Sequence, residues 1–146
     1  TTDFVTFTEK IADRQYITKY IKNYVLFFTI ISIIILVGSY LFSSEILSIF
    51  GEEYMIYSDS FFILIIGIIG IFLLRGVYGN LLASIGRIEV NYYIISIALL
   101  INIISNQYLI PIYGIKGAAI TSAILMWFTG ILSWLCFAYL YRKKYR

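Results

Sequence analysis

The side chains of this sequence offer little for catalysis. It contains no histidine, and its single cysteine, Cys136, lies within a long apolar run. The serine and threonine hydroxyls therefore have no histidine base, which excludes nucleophilic catalysis of the Ser-His type. One cysteine without histidine also provides no metal-ligand set and no intrachain disulfide. We accordingly predict no catalytic residue, no metal and no cofactor, and we do not expect an enzyme.

Arg75 is the residue best suited to recognition chemistry. It stands inside the apolar run 61–85. An arginine near the bilayer centre costs roughly 2.5–3.5 kcal/mol on insertion scales, so such a side chain usually faces a cavity or a partner. Its planar, permanently charged guanidinium suits a phosphate or a pyrophosphate. The alternative is that the side chain extends to the headgroups of the nearer membrane surface, and the sequence leaves both interpretations open.

Three asparagines accompany Arg75 as candidate substrate-binding residues. Asn80 interrupts the same apolar run, and Asn102 and Asn106 lie four residues apart near the end of another. Amides within lipid must find hydrogen-bond partners. Asn102 and Asn106 therefore either line a polar pathway or bond to a neighbouring helix. The structural interpretation is favoured because Asn106 lies close to the membrane surface.

The composition indicates which elements must position these polar residues. Hydrophobic residues make up 61% of the chain and charged residues 13%, about half of the roughly 25% usual in soluble domains. Four apolar runs are each long enough to cross about 30 Å of hydrocarbon as a helix: residues 24–42, 61–85, 92–110 and 117–141. We predict an all-α integral membrane protein with one membrane domain over residues 1–146. Residues 1–23 are expected to form an amphipathic or truncated helix before the first span.

The charges predict the orientation of these spans. Basic residues precede the first span, follow the second and close the chain: Lys10, Arg14, Lys19, Lys22, Arg87, Arg142, Lys143, Lys144 and Arg146. The charged residues in the loop between the first two spans are all acidic, and Lys116 is the only basic residue between the last two spans. Because basic residues mark the cytoplasmic side, both ends are predicted to be cytoplasmic. These charges flank membrane spans, so we predict no nucleic-acid partner. The C-terminal cluster is interpreted as a membrane-flanking anchor, with contact to anionic lipid as the alternative.

Another group of residues is expected to shape turns and helix ends: Gly51, Tyr54, Gly86, Arg87, Pro111, Gly114 and Gly117. Proline is expected to end the third helix, and the glycines to let the chain turn. Tyr54 suits headgroup depth. Small residues at four-residue spacing in the second and fourth spans favour close helix packing. Their number indicates a bundle of more than four helices.

Three segments in this order carry a family resemblance: ILSIFGEEY at 46–54, LLASIGR at 81–87 and NIISNQYLIPIYGIKGAAITS at 102–122. Together they resemble the C-terminal part of polysaccharide-export flippases. These form the Wzx-like branch of the multidrug/oligosaccharidyl-lipid/polysaccharide transporter superfamily, which is related to the multidrug and toxin extrusion transporters. The resemblance implies a two-lobed bundle in which this chain forms the last four helices. Missing N-terminal helices of the same protein would then be its neighbours.

The resemblance also implies a function. Such proteins flip undecaprenyl-pyrophosphate-linked oligosaccharide across the bacterial cytoplasmic membrane by alternating access, for O-antigen or capsule export. Arg75 would then be the candidate cation for the pyrophosphate. No carboxylate lies within a span, so an ion-coupling carboxylate would belong to another part of the protein. The alternatives are a small stand-alone four-helix transporter and a scaffold subunit that transports nothing.

Overall fold

The computed structural model describes residues 10–145, and in this part of the chain all regular structure is helical. Four of its helical stretches are long and apolar enough to cross a membrane. The predicted all-α architecture with four spans is therefore confirmed, and the chain is a multi-pass membrane protein. The first span is α1 (Arg14–Ser48). The last two are α4 (Ile88–Tyr113) and α5 (Ile115–Lys144).

The second span, Glu52–Ser84, is built from several helical segments. A 3₁₀ helix (Glu52–Tyr57) leads into α2 (Ser58–Gly70). A π-helical turn (Ile71–Arg75) then joins α2 to α3 (Gly76–Ser84). The π-helical turn could not be predicted from the sequence, because the hydrophobic run continues through it.

Residues 14–23 are helical as predicted, but they form one continuous helix with the first span. Residues 14–23 are the first turns of α1, and the Asp13 carboxylate caps this helix by accepting bonds from the backbone N–H groups of Gln15 and Tyr16. The rest of that prediction, residues 1–9, lies outside the described residues. At its other end α1 continues past the predicted boundary, with a kink at Phe42. The helix extends beyond the apolar run at both ends, because backbone hydrogen bonding does not stop where the side chains become polar.

Pro111 does not end the third helix as predicted. It lies inside α4, which continues to Tyr113 before Gly114 adopts a φ of 58°. A proline costs a helix the hydrogen bond to the carbonyl four residues earlier. Pro111 falls in the last turn, and the N–H of Gly114 still bonds to the carbonyl of Ile110 at 2.8 Å. The last turn therefore closes around the proline.

Helix α5 is the centre of the bundle, because it packs against the second span on one side and against α4 on the other. Glycines bring α2 and α5 close together. A Cβ atom on Gly67 would lie 2.7 Å from Cα of Ala123, and one on Gly70 would lie 2.8 Å from the ring of Trp127. The indole of Trp127 also donates to the carbonyl of Ile66 at 2.9 Å. Small residues thus allow the backbone approach expected of helices packed within lipid.

The two ends of the bundle differ in burial and charge. We call one end the basic end, where the N-terminus of α1, the turn from α3 to α4 and the C-terminus of α5 meet. The hydroxyl of Tyr141 donates to the carbonyl of Ile11 there, at 3.0 Å. Buried apolar side chains of α3, α4 and α5 pack together near this end. At the opposite end, Lys116 and Asp59 form an exposed ion pair at 3.1 Å.

The predicted turn glycines occupy positions that suit this residue. Among residues 10–145, the glycines with positive φ are Gly51, Gly86 and Gly114, a conformation that side chains with a Cβ rarely adopt. Gly117 serves a different purpose, because a Cβ there would collide with the backbone of Leu109 across the α4–α5 turn. Tyr54 is exposed on the 3₁₀ helix, at the end of the bundle opposite the basic end.

Candidate functional site

Arg75 is positioned by the π-helical turn, of which it is the last residue. The N–H of Gly76 bonds to the carbonyl of Ile71, five residues earlier. Such turns are rare and frequently occur at functional sites. Gly130 of α5 packs against the same turn, since a Cβ there would lie 2.8 Å from Cβ of Leu74. The unusual turn thus lies directly against the central helix.

The guanidinium of Arg75 joins three helical elements. Its Nη1 atom donates to Oδ1 of Asn91 at 2.6 Å and to Oγ of Ser133 at 2.8 Å. Asn91 lies in the first turn of α4, and Ser133 lies in α5. Of the two interpretations of Arg75, the structure supports a side chain held by partners between helices.

Neutral groups surround this guanidinium. Ser133 is fully buried and donates onward to the carbonyl of Thr129 at 2.7 Å. The amide of Asn91 donates to the carbonyl of Gly79 at 2.9 Å. Within residues 10–145, no carboxylate forms an ion pair with Arg75. The positive charge of Arg75 therefore has no counter-ion in the described part of the chain.

Arg75 also lines an open groove of about 380 Å³, which we call the Arg75 groove. The π-helical turn and α4 form its two walls, and α5 forms its floor. Its lining residues are Ile71, Arg75, Ile95, Ala98, Leu99, Asn102, Ser122, Leu125, Met126 and Thr129. The surface is mostly apolar, with one cation and a few uncharged polar groups.

Of the predicted asparagines, Asn102 lines the Arg75 groove and Asn106 supports it. Nδ2 of Asn106 donates to Oδ1 of Asn102 at 3.0 Å, one turn away on α4. The expected bond across helices is therefore replaced by one along α4. The Asn102 NH₂ group has no hydrogen-bond partner among residues 10–145, and buried Oδ1 of Asn106 has none there either. One NH₂ group and one amide oxygen beside the groove thus have no hydrogen-bond partner among the described residues.

Asn80 does not join the other candidates. Its side chain is exposed and does not line the Arg75 groove. Its backbone carbonyl accepts a bond from the hydroxyl of Ser84 at 2.9 Å. Five residues separate Asn80 from Arg75, and at about 100° per residue this turns the two side chains well apart around the helix axis.

Asn91 and Ser133 were not predicted from the sequence. Asn91 precedes the third apolar run by one residue and so lies just outside the predicted span. Ser133 follows Thr129 by four residues within a span that carries no charge. Polar residues on one face of such a span need hydrogen-bond partners, and Arg75 in the second span is a suitable donor. The presence of Arg75 in one span and of Thr129 and Ser133 in another was the signal that could have predicted this contact.

No family model, no curated protein and no solved structure matches this chain. Among the described residues, no group of three histidine, cysteine, aspartate or glutamate residues is placed to hold a metal ion. The site must accordingly be interpreted from its own chemistry, which combines a fixed guanidinium with an open apolar groove.

Proposed function

We propose that this chain is part of a membrane transporter that flips undecaprenyl-pyrophosphate-linked oligosaccharide across the bacterial cytoplasmic membrane by alternating access. The supporting observation is the position of Arg75, which lines an apolar groove and has no carboxylate partner among residues 10–145. An uncompensated cation is costly within a membrane span. An anionic substrate that enters the groove would remove that cost, at least in part.

The free edge of the guanidinium suits a pyrophosphate. Both bonds to Asn91 and Ser133 come from Nη1. The Nε and Nη2 donors have no partner within residues 10–145, and this edge can bind two phosphate oxygens at once. The two bonds made by Nη1 hold the fork in one orientation, so little side-chain freedom would be lost on binding.

The apolar part of the groove suits the lipid part of the same substrate. Six of its ten lining side chains are apolar, from Ile71 to Met126. The Arg75 groove is open along its length, so a polyprenyl chain could lie in it while the sugars extend beyond the phosphates. This combination of one cation and an apolar channel is the reason for favouring a lipid-linked substrate over a soluble one.

The orientation belongs to the same proposal. With the basic end in the cytoplasm, as the distribution of lysine and arginine predicts, Arg75 lies nearer the cytoplasmic surface, where the lipid-linked substrate is made. The exposed apolar faces of α1 and α4 would then contact lipid and the remaining helices of the transporter. These helices would complete the open side of the groove.

A second candidate, a scaffold that transports nothing, is favoured by one observation. The bonds of Arg75 to Asn91 and Ser133 connect the second span to α4 and α5, and such a role needs no ligand. The two candidates differ in what Arg75 must supply. A scaffold needs only hydrogen bonds at Nη1, whereas pyrophosphate recognition needs the positive charge and gains further from the planar fork.

The test is export of lipid-linked glycan by cells that express the complete gene with Arg75→Gln or Arg75→Lys. We expect Arg75→Gln to abolish export and Arg75→Lys to retain part of it, with normal amounts of protein in the membrane. Asn80→Ala is the matched control, because Asn80 belongs to the same span and lies outside the groove. Unchanged export in both Arg75 variants would remove this residue from transport and support the scaffold.

A further inference from the structure

A second cationic pocket lies at the basic end of the bundle, separate from the Arg75 groove. It has a volume of about 510 Å³ and is lined by Ile85, Gly86, Arg87, Leu140, Lys143 and Lys144. The turn from α3 to α4 forms one side, and the last two turns of α5 form the other. Residues far apart in the sequence thus place three cations around one depression.

Each of the three cations has hydrogen-bonding capacity to spare. Lys144 donates to the carbonyl of Ile85 at 2.9 Å, which fixes the C-terminus of α5 against the end of α3. Arg87 forms an exposed ion pair with Glu89 at 3.2 Å through Nη1 only. Lys143 is exposed, and its ammonium has neither an ion pair nor a hydrogen bond within residues 10–145. One carboxylate therefore opposes three cations here.

The pocket lies at the boundary between apolar and charged residues. The apolar sequence of α5 ends at Tyr141, and three basic residues follow at once. Leu140 and Ile85 contribute apolar side chains to the pocket lining, and Arg87, Lys143 and Lys144 contribute its cations. A ligand that fits must be anionic at one end and apolar at the other. A free phosphate would leave the apolar wall unused.

We propose that this pocket binds the headgroup of an anionic phospholipid such as phosphatidylglycerol. Its phosphate lies between Arg87, Lys143 and Lys144, and an acyl chain passes Leu140 toward the bilayer. Basic residues at a membrane surface attract anionic lipid. This binding is independent of the proposed transport. It would hold the α3–α4 turn and the end of α5 to one leaflet.

The test measures lipid retained by the purified chain in detergent micelles, using native mass spectrometry with phosphatidylglycerol or phosphatidylcholine. The variants are Arg87→Gln and Lys143→Gln, whose exposed side chains make few contacts. Arg142→Gln is the matched control, because Arg142 is the neighbouring basic residue and does not line the pocket. We expect phosphatidylglycerol to bind about fivefold more weakly to each pocket variant, equivalent to ~1 kcal/mol, with little change in the control.

Three outcomes would overturn the proposal. Equal losses in the Arg142 variant and the pocket variants would indicate a diffuse charge effect. Equal binding of the two lipids by the unaltered chain would show that the headgroup charge is not recognised. Displacement of phosphatidylglycerol by millimolar inorganic phosphate would assign the cations to a free anion. Selective loss of phosphatidylglycerol in the pocket variants alone would support the lipid site.

Discussion

Arg75 and Ser133 are joined by a 2.8 Å hydrogen bond between the second span and the central helix α5. Ser133 is fully buried, and its hydroxyl donates a hydrogen bond to the carbonyl of Thr129. Its hydroxyl therefore has its one donor engaged within α5 and one of its acceptor sites engaged with the guanidinium. The serine fixes one side of Arg75, while Nε and Nη2 have no partner among residues 10–145. The guanidinium thus connects two helices, and under the proposed function its other edge would bind the anion.

Removing the hydroxyl of Ser133 should destabilise the bundle. In Ser133→Ala the Arg75 guanidinium loses a bond in a half-buried position, and we expect unfolding free energy to fall by about 1 kcal/mol. Unfolding of the detergent-solubilised chain would measure this loss. Ser84→Ala is the control, because its hydroxyl bonds only within its own helix, to the carbonyl of Asn80. Equal stability of the two variants would show that the Arg75–Ser133 bond contributes nothing measurable.

The approach of α2 to α5 predicts opposite effects for two glycine substitutions. Gly67→Ala would place a methyl group 2.7 Å from Cα of Ala123, whose backbone cannot move without shifting a helix. We expect a loss of about 1–3 kcal/mol. Gly38→Ala in α1 meets nothing within 4 Å, so the better helix propensity of alanine should leave stability unchanged or raise it by up to about 1 kcal/mol.

Thermal unfolding of both glycine variants in the same detergent tests this difference. A Gly67→Ala chain as stable as the Gly38→Ala chain would contradict close contact between α2 and α5.

The proposed orientation predicts different labelling at the two ends of α4. Ile88 and Tyr113 are exposed, and about 38 Å of helix separates them at ~1.5 Å per residue, more than the roughly 30 Å hydrocarbon core. In a Cys136→Ser background, we expect Tyr113→Cys to react with a membrane-impermeant maleimide in intact cells. Ile88→Cys should react only after the cells are permeabilised. The reverse pattern would place the basic end outside.

The sequence was sufficient for the four spans because each is a long apolar run, and Arg75 was conspicuous as a charge inside one. It was insufficient for helix ends, where Pro111 and residues 14–23 were misjudged. A proline in a last turn removes a single hydrogen bond, and a polar surface does not interrupt a helix. A long apolar run indicates which residues lie in lipid, but it says little about where the backbone hydrogen bonds of the helix end.

Which residues form the site depends on contacts between helices, and these contacts cannot be predicted from any single segment of the sequence. Asn91 and Ser133 meet Arg75 because α4 and α5 both pack against the second span at this point. Asn80 was placed with Arg75 because both interrupt the same run, yet helical rotation separates them. Asn102 reaches the Arg75 groove because α4 runs along α5. Spacing within one helix could be predicted, whereas the order of helices around α5 could not.

The most direct test of the central claim is binding of a polyprenyl diphosphate to the purified protein expressed from the complete gene and to its Arg75→Gln variant. We expect the variant to bind at least about tenfold more weakly, the loss of a charge-assisted interaction of roughly 1.5–3 kcal/mol, with Arg75→Lys between the two. The uncharged polyprenol should bind all three alike, and Asn80→Ala and Lys143→Gln should retain diphosphate binding. Equal affinity of the unaltered chain and Arg75→Gln for the diphosphate would contradict the account.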